Sequence, residues 1–249
     1  MGRWVVINGV LVYQTDCQTC FISRNGELFV HANKPCTYVP FGAELVMPNV
    51  LRIHDAAVAA QILIGGSVDL HFEEDVELKR NNGLFIDHAM NGTAGQLRHP
   101  GLQPQKDIYV RAKDGPLMET RYYTDEEIDR IVKSGRQIIF EKQTYDVAES
   151  NPNFEPIMRK LYDHGLRMIV VVGFATDYCV LAAVRAMIKI RDEFCLELEI
   201  FVVEDAIEAV NVNFKGQIDN EFGAKAITWM KQNGVKFVLT DYVIENLLR

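Results

Sequence analysis

Short apolar runs in this chain alternate with segments of helical period, and that alternation constrains the fold more than any other feature. Runs at 10–13, 62–65, 137–140, 168–172, 198–203 and 237–239 are rich in Val, Ile, Leu and Phe. Their length and composition predict strands covered on both faces. Between them, residues 48–60, 154–164, 177–190 and 220–232 carry apolar side chains at helical spacing, and Gly165 and Gly234 stand where two of these helices should end. Strand–helix–strand alternation calls for parallel βαβ crossovers. The expected fold is therefore α/β, a single doubly wound, three-layer domain over the whole chain, with a mostly parallel sheet of about six strands. Two regions are less regular. Asn8-Gly9 has the composition of a tight hairpin turn that would split the first strand. Residues 96–136 are polar, with a short strand at 108–111 and a helix at 124–133, and read as an insertion at the rim of the site.

In a sheet of this kind, chemistry collects at the carboxyl ends of the strands. The segment VVVGFATDYCVLAAVRAM, residues 170–187, runs from a strand through Gly173 and a small-residue turn to Cys179 at the opening of a helix. A helix N-terminus favours a thiolate and offers backbone N–H groups to an oxyanion. A free cysteine is equally at home as a small buried residue, so the turn alone does not decide. Two further groups fall on the same edge: Asp16 ends the first predicted strand and Lys142 the third. A nucleophilic thiol needs both a base and a charge partner, and these three groups together supply that set.

The motifs carrying these residues resemble those of the isochorismatase-like cysteine hydrolases, and within them the nicotinamidase/pyrazinamidase branch. DCQTCF (16–21) is similar to the family's D-x-Q-x-x-F, EKQTY (141–145) to its strand-end lysine, and GFATDYCV (173–180) to its nucleophile motif, all in family order. The resemblance implies a triad of Asp16, Lys142 and Cys179 that splits a C–N amide bond through a thioester. It also implies a cis peptide between Phe174 and Ala175 that turns the Ala175 N–H, with that of Cys179, toward an oxyanion. The expected reaction is nicotinamide and water to nicotinate and ammonia. The alternatives are an amidase of the same superfamily acting on a carbamoyl or ureido compound, and a catalytically silent binding protein on this fold. Cleavage of isochorismate itself fits least, because vinyl-ether hydrolysis in this superfamily does not require the cysteine.

A second constellation follows the second strand. Asp69 and His71, two apart on an extended segment, point to the same side, and His88 follows in FIDHAMNGTAG. In the branch resembled, D-x-H and a later W-P-x-H-C-x-x-G-T-x-G hold a divalent metal that takes the substrate's ring nitrogen. The resemblance thus assigns Asp69, His71 and His88 as ligands. The further histidine common in the branch is missing here; FEEDVEL offers carboxylates, with Glu77 the candidate fourth ligand and Glu74 behind it. Such an oxygen-rich shell suits Zn²⁺ first, with Mn²⁺ or Fe²⁺ as alternatives, and no organic cofactor is expected. Phe85, Ile86 and Ala89 replace the branch's Trp, Pro and Cys. Phe21 and Phe85 are the candidate faces for stacking an aromatic substrate, with Tyr178 beside the nucleophile.

Composition narrows the partners. The net charge is −8 and no basic cluster interrupts it, so the expected partner is a small-molecule amide rather than a nucleic acid or a membrane. No run approaches the roughly 18 apolar residues of a membrane span. The N-terminal stretch lacks a signal-peptide layout, and Val6 stands where N-myristoylation wants Ser or Thr. Five cysteines, an odd number, fit a reducing cytoplasmic setting. Cys17 and Cys20 are formally C-x-x-C but lie within the D-x-Q-x-x-F motif and read as packing residues. The family resemblance implies a homo-oligomer.

Overall fold

The computed structural model describes residues 8–31, 42–114 and 118–249. The residues ahead of Asn8, on which the targeting readings and part of the hairpin reading fall, lie outside these ranges, as does Cys36. In chain order the strands are β1 (Val10–Thr15), β2 (Leu63–Asp69), β3 (Asp107–Val110), β4 (Lys113–Asp114), β5 (Glu119–Thr120), β6 (Gln137–Lys142), β7 (Met168–Phe174), β8 (Glu199–Glu208) and β9 (Lys236–Val238). The helices are α1 (Thr19–Ile22), α2 (Ala43–Ala59), α3 (Asp125–Val132), α4 (Val147–Ser150), α5 (Phe154–Asp163), α6 (Leu181–Glu193), α7 (Phe222–Gln232) and α8 (Thr240–Tyr242). Seven strands form one sheet in the order β3-β6-β2-β1-β7-β8-β9, with every neighbouring pair parallel. β4 and β5 form a separate antiparallel hairpin.

Alternation along the strands builds two cores. Leu11, Tyr13, Ile169 and Val171 face one layer, where residues of α3, α5, α6 and α7 close over them. Val10, Val12, Val170 and Val172 face the other, under α2 and the C-terminal segment. Burial on both faces is why these strands read as continuous apolar runs. Gly165 and Gly234 follow α5 and α7 with φ of 104° and 82°, the left-handed geometry a helix end requires.

The stretch read as a rim insertion divides. β3 is an edge strand of the main sheet, paired in parallel with β6, with Val110 fully buried. α3, started by a Thr124–Glu127 capping box, is the crossover between them. This adds the seventh strand to the six read from the sequence. Only the loop before β3 and the β4–β5 hairpin lie outside the sheet's own architecture. α2 begins five residues before Pro48, which sits in its second turn. Val46, Met47, Val50, Ile53 and Ala57 form one buried stripe that carries the helix through the proline. At the other end, Gly9 has φ 75° and its carbonyl accepts the Arg167 and Met168 N–H groups, so Gly9 already joins the sheet.

β1 lies between β2 and β7, and each neighbour presents a glycine to it. A Cβ on Gly66 would lie 2.0 Å from the Gln14 carbonyl oxygen, and one on Gly173, where φ is +112°, 2.0 Å from that of Thr15. Both approaches are to backbone just ahead of Asp16. Gly173→Ala should therefore cost about 3 kcal/mol or more of stability, seen as a lower urea midpoint at unchanged slope; an unaltered midpoint would show that the strands part freely here.

Candidate active site and metal centre

The register of the sheet assembles the site. Thr15 pairs with Ser67 and with Gly173, and Asp69 pairs with Lys142. Asp16 therefore leaves β1 beside the carboxyl ends of β2 and β7, and a left-handed φ of 45° turns it there. Its N–H donates to the Ser67 carbonyl, and the Ser67 hydroxyl donates to its Oδ1 at 2.8 Å.

Lys142 Nζ occupies the centre. It lies 2.9 Å from Asp16 Oδ2, in direct contact with Asp69 Oδ1, and 3.7 Å from Cys179 Sγ. All four side chains are buried. The three residues that the sequence brought to one edge thus meet around one ammonium, with Asp69 as a fourth member. Burial opposes the charge on Lys142, but Asp16 and Asp69 outweigh it and hold its pKa well above the lysine range. Burial pushes the Asp16 carboxyl up, with Lys142 opposing and Asp69 adding to the rise. Burial also pushes the Cys179 thiol well up, against Lys142 and with Asp16 and Asp69. The sequence led us to expect a helix N-terminus to lower that thiol. Instead, desolvation prevails, with the two carboxylates adding to it, and the direction is upward. It stands in a wide π-type turn, Thr176–Val180, that runs into α6.

The Phe174–Ala175 peptide is cis. Ala175 and Cys179 line a cavity of about 480 Å³, within the usual size range of small-molecule sites. Its walls are mainly apolar and aromatic. Phe21 and Phe85 both meet the His88 ring edge-on, at centroid distances of 5.5 and 6.0 Å. Phe85 also packs on Tyr178 at 5.1 Å. Tyr178 serves the wall as well as the turn, since its hydroxyl donates to the Val212 carbonyl at 2.5 Å. Its neighbour Asp177 accepts the Val210 and Asn211 N–H groups.

Asp69, His71, Glu77 and His88 bring one ligand atom each to within 4.8 Å of one another, and all are buried. The Nδ1 atoms of both imidazoles are engaged: His71 with Asp75 Oδ2 at 3.1 Å, and His88 with the Ile86 carbonyl at 2.7 Å. That leaves both Nε2 atoms facing the cluster, an arrangement usual for metal-binding histidines. His71 Nε2 and Glu77 Oε2 are buried with no hydrogen-bond partner, 3.3 Å apart. Burial alone would lower the His71 pKa, but Asp75, Glu77 and Asp69 outweigh it and push it up to about 9. Unpartnered buried donors in a cage that draws positive charge fit a divalent cation. Glu77 belongs to the cluster, and its other oxygen accepts the Tyr145 N–H. Glu74 is exposed and does not.

Sequence reasoning missed three contributors. Gln18 staples the site: its Nε2 donates to the Asp69 and Gln96 carbonyls, and its Oε1 accepts the Asp69 N–H. Its place in D-x-Q-x-x-F was visible, its role was not. Ser67 and Asp75 carried no signal of their own, being a strand serine and one acid in a run of acids. His31 lines the cavity beside Phe29. Cys17 and Cys20 are free, buried packing residues, as the sequence indicated. Among the described residues, no helix is long and apolar enough to cross a membrane.

Solved structures of similar architecture include a pyrazinamidase of Pyrococcus horikoshii in complex with zinc, 19% identical, with a TM-score of 0.60 over 93% of this chain and 99% of that one. PnC1 from L. infantum in complex with nicotinate is 17% identical, with a TM-score of 0.61 over 97% and 98%. An N-carbamoylsarcosine amidase from Thermoplasma acidophilum is 17% identical, with a TM-score of 0.57 over 93% and 96%. At these identities the likeness is one of fold. No curated protein matches the sequence. The isochorismatase domain model matches residues 10–242, nearly the whole chain, and the protein belongs to that family of hydrolases.

Proposed function

We propose that this protein is a metal-assisted cysteine amidohydrolase that converts nicotinamide and water to nicotinate and ammonia. The observation that carries the reading is Lys142 Nζ, buried between the Asp16 carboxyl and the Cys179 thiol, with Cys179 itself lining an aromatic-walled cavity. Zinc bound to the pyrazinamidase and nicotinate bound to PnC1 support the same direction by analogy of fold.

In this reading Asp16 takes the Cys179 proton as Sγ attacks the amide carbonyl carbon. The raised pKa of Asp16 makes it a stronger base than an exposed carboxylate, closer to its task. Lys142 offsets the negative charge as it passes between the two groups. N–H groups in the turn at Ala175 and Cys179 receive the carbonyl oxygen. When the C–N bond breaks, Asp16 returns the proton to the leaving nitrogen and ammonia departs, leaving a thioester. Water, deprotonated by Asp16, then attacks the thioester, and Sγ leaves with the proton. Asp69, His71, Glu77 and His88 would hold the metal, which supplies a Lewis-acidic point for the substrate's ring nitrogen. Phe21 and Phe85 flank that position and stack the ring.

A carbamoyl or ureido amide is the second reading, supported by the fold shared with the N-carbamoylsarcosine amidase. The apolar, aromatic walls favour a flat ring over a small polar ureide. A cytoplasmic homo-oligomer remains part of the proposal, to be tested by fractionation and by light scattering.

The deciding experiment is ammonia release across nicotinamide, pyrazinamide and several ureido compounds. Turnover should rank the two ring amides first; a preference for ureides would reverse the assignment. Cys179→Ala should reduce release by a factor of about 10³ or more with folding intact, and near-normal turnover would sink the thioester route. Chelation should abolish turnover, and Zn²⁺, Mn²⁺ or Fe²⁺ should restore it. Full activity in protein verified as metal-free would remove the metal from the reaction.

A further inference from the structure

Resting on the metal reading above, we propose that Lys113, carried by the β4–β5 hairpin, is a positioning residue for the metal centre, acting through Asp75 on His71. Nothing in the sequence motifs marks either residue, and the hairpin lies outside the sheet that builds the rest of the site.

The connection is a chain of contacts from the hairpin to an unpartnered ligand atom. Lys113 Nζ donates to Asp75 Oδ1 at 3.2 Å. Asp75 Oδ2 meets His71 Nδ1 at 3.1 Å and accepts the Phe72 N–H at 2.9 Å. The backbone carbonyl of Asp75 is held in turn by Asn81 Nδ2 at 2.9 Å. On the far side of the same imidazole, His71 Nε2 faces the metal cluster without a partner. The Asp75 side chain is only 3% exposed, whereas that of Lys113 is 33% exposed and reaches in from the rim.

The division of labour between the two Asp75 oxygens gives Lys113 its role. One oxygen fixes the His71 tautomer and ring plane, leaving Nε2 as the ligand atom. Among the described residues, the other has Lys113 as its only side-chain partner. Without Lys113 that oxygen is a buried acceptor with nothing to hold it. The carboxylate can then rotate, and the imidazole loses the support that sets its plane. A buried carboxylate with a partner on only one oxygen is a weaker lever than one clamped on both. The ion pair itself is partly exposed and adds little to stability. Its effect should therefore appear in metal binding, not in folding.

The test is Co²⁺ and Zn²⁺ affinity, measured on the full chain by competition with a chromophoric chelator, with the Co²⁺ d–d spectrum as a second readout. Lys113→Met should weaken binding by about 10–100-fold and broaden the spectrum, while the melting temperature of the metal-free protein stays near wild type. Lys113→Arg, which keeps the donor and charge, should recover most of the affinity. In an Asp75→Asn background, Lys113→Met should cost little more. Equal affinities for wild type and Lys113→Met would overturn the inference alone, as would the same loss in the Asp75→Asn background. Should Lys113→Met fail to fold, Lys113→Gln carries the same comparison. Wild-type protein that takes up neither ion would overturn the metal reading and this inference with it.

Discussion

One buried ammonium organises this molecule. Lys142 ends an inner strand and has no route to water, so its charge is tolerable only because Asp16 and Asp69 converge on it. Removing one partner from such a cluster typically costs about 3–5 kcal/mol, since it strands the remaining charge. The register of the parallel sheet therefore has to bring β1, β2 and β6 to a common level, and the Gln18 staple and the Ser67 hydroxyl hold it there. Burial, with the neighbouring carboxylates adding to it, pushes both the Cys179 thiol and the Asp16 carboxyl up.

Asp69 joins the two halves of the site. Its Oδ1 contacts Lys142, while its Oδ2 lies 3.4 Å from His88 Nε2 and 3.9 Å from His71 Nε2. Lys142 and the histidines together hold its pKa far below the carboxylate range, in spite of its burial. It stays ionised, so it can serve the cluster and a cation together. Beyond this cluster the cavity walls are mainly aromatic and apolar, with His31 and Lys79 among the polar residues that also line it.

Much of this was legible in the sequence because it depends on period and punctuation. The apolar runs, the helix-ending glycines and the order of the three motifs located the sheet edge, the triad residues and three metal-cluster members. β3 was read as a short strand at 108–111 but assigned to a rim insertion, because four residues in a polar stretch do not say which sheet they join. The burial of Glu77 could not be told from that of Glu74: both stand in one acidic run, and only the fold turns one inward. Ser67, Gln18 and Asp75 act through hydrogen bonds between segments far apart in the chain or tucked into a loop, and no local pattern encodes such bonds. The thiol was misread for a related reason. The helix terminus is a local feature, while the two carboxylates that overrule it arrive from other strands.

The residues just before the nucleophile have a second attachment. Asp177 and Tyr178 make three hydrogen bonds to the backbone of residues 210–212, which form one wall of the cavity. That wall cannot swing aside without dragging the turn that carries Cys179. The opposite side, formed by Phe21, Leu28, Phe29 and Val30, makes no hydrogen bond to this turn among the described residues. The Cys179 sulfur thus sits on a turn fastened to one wall of the cavity, so any shift of residues 210–212 is carried directly to it.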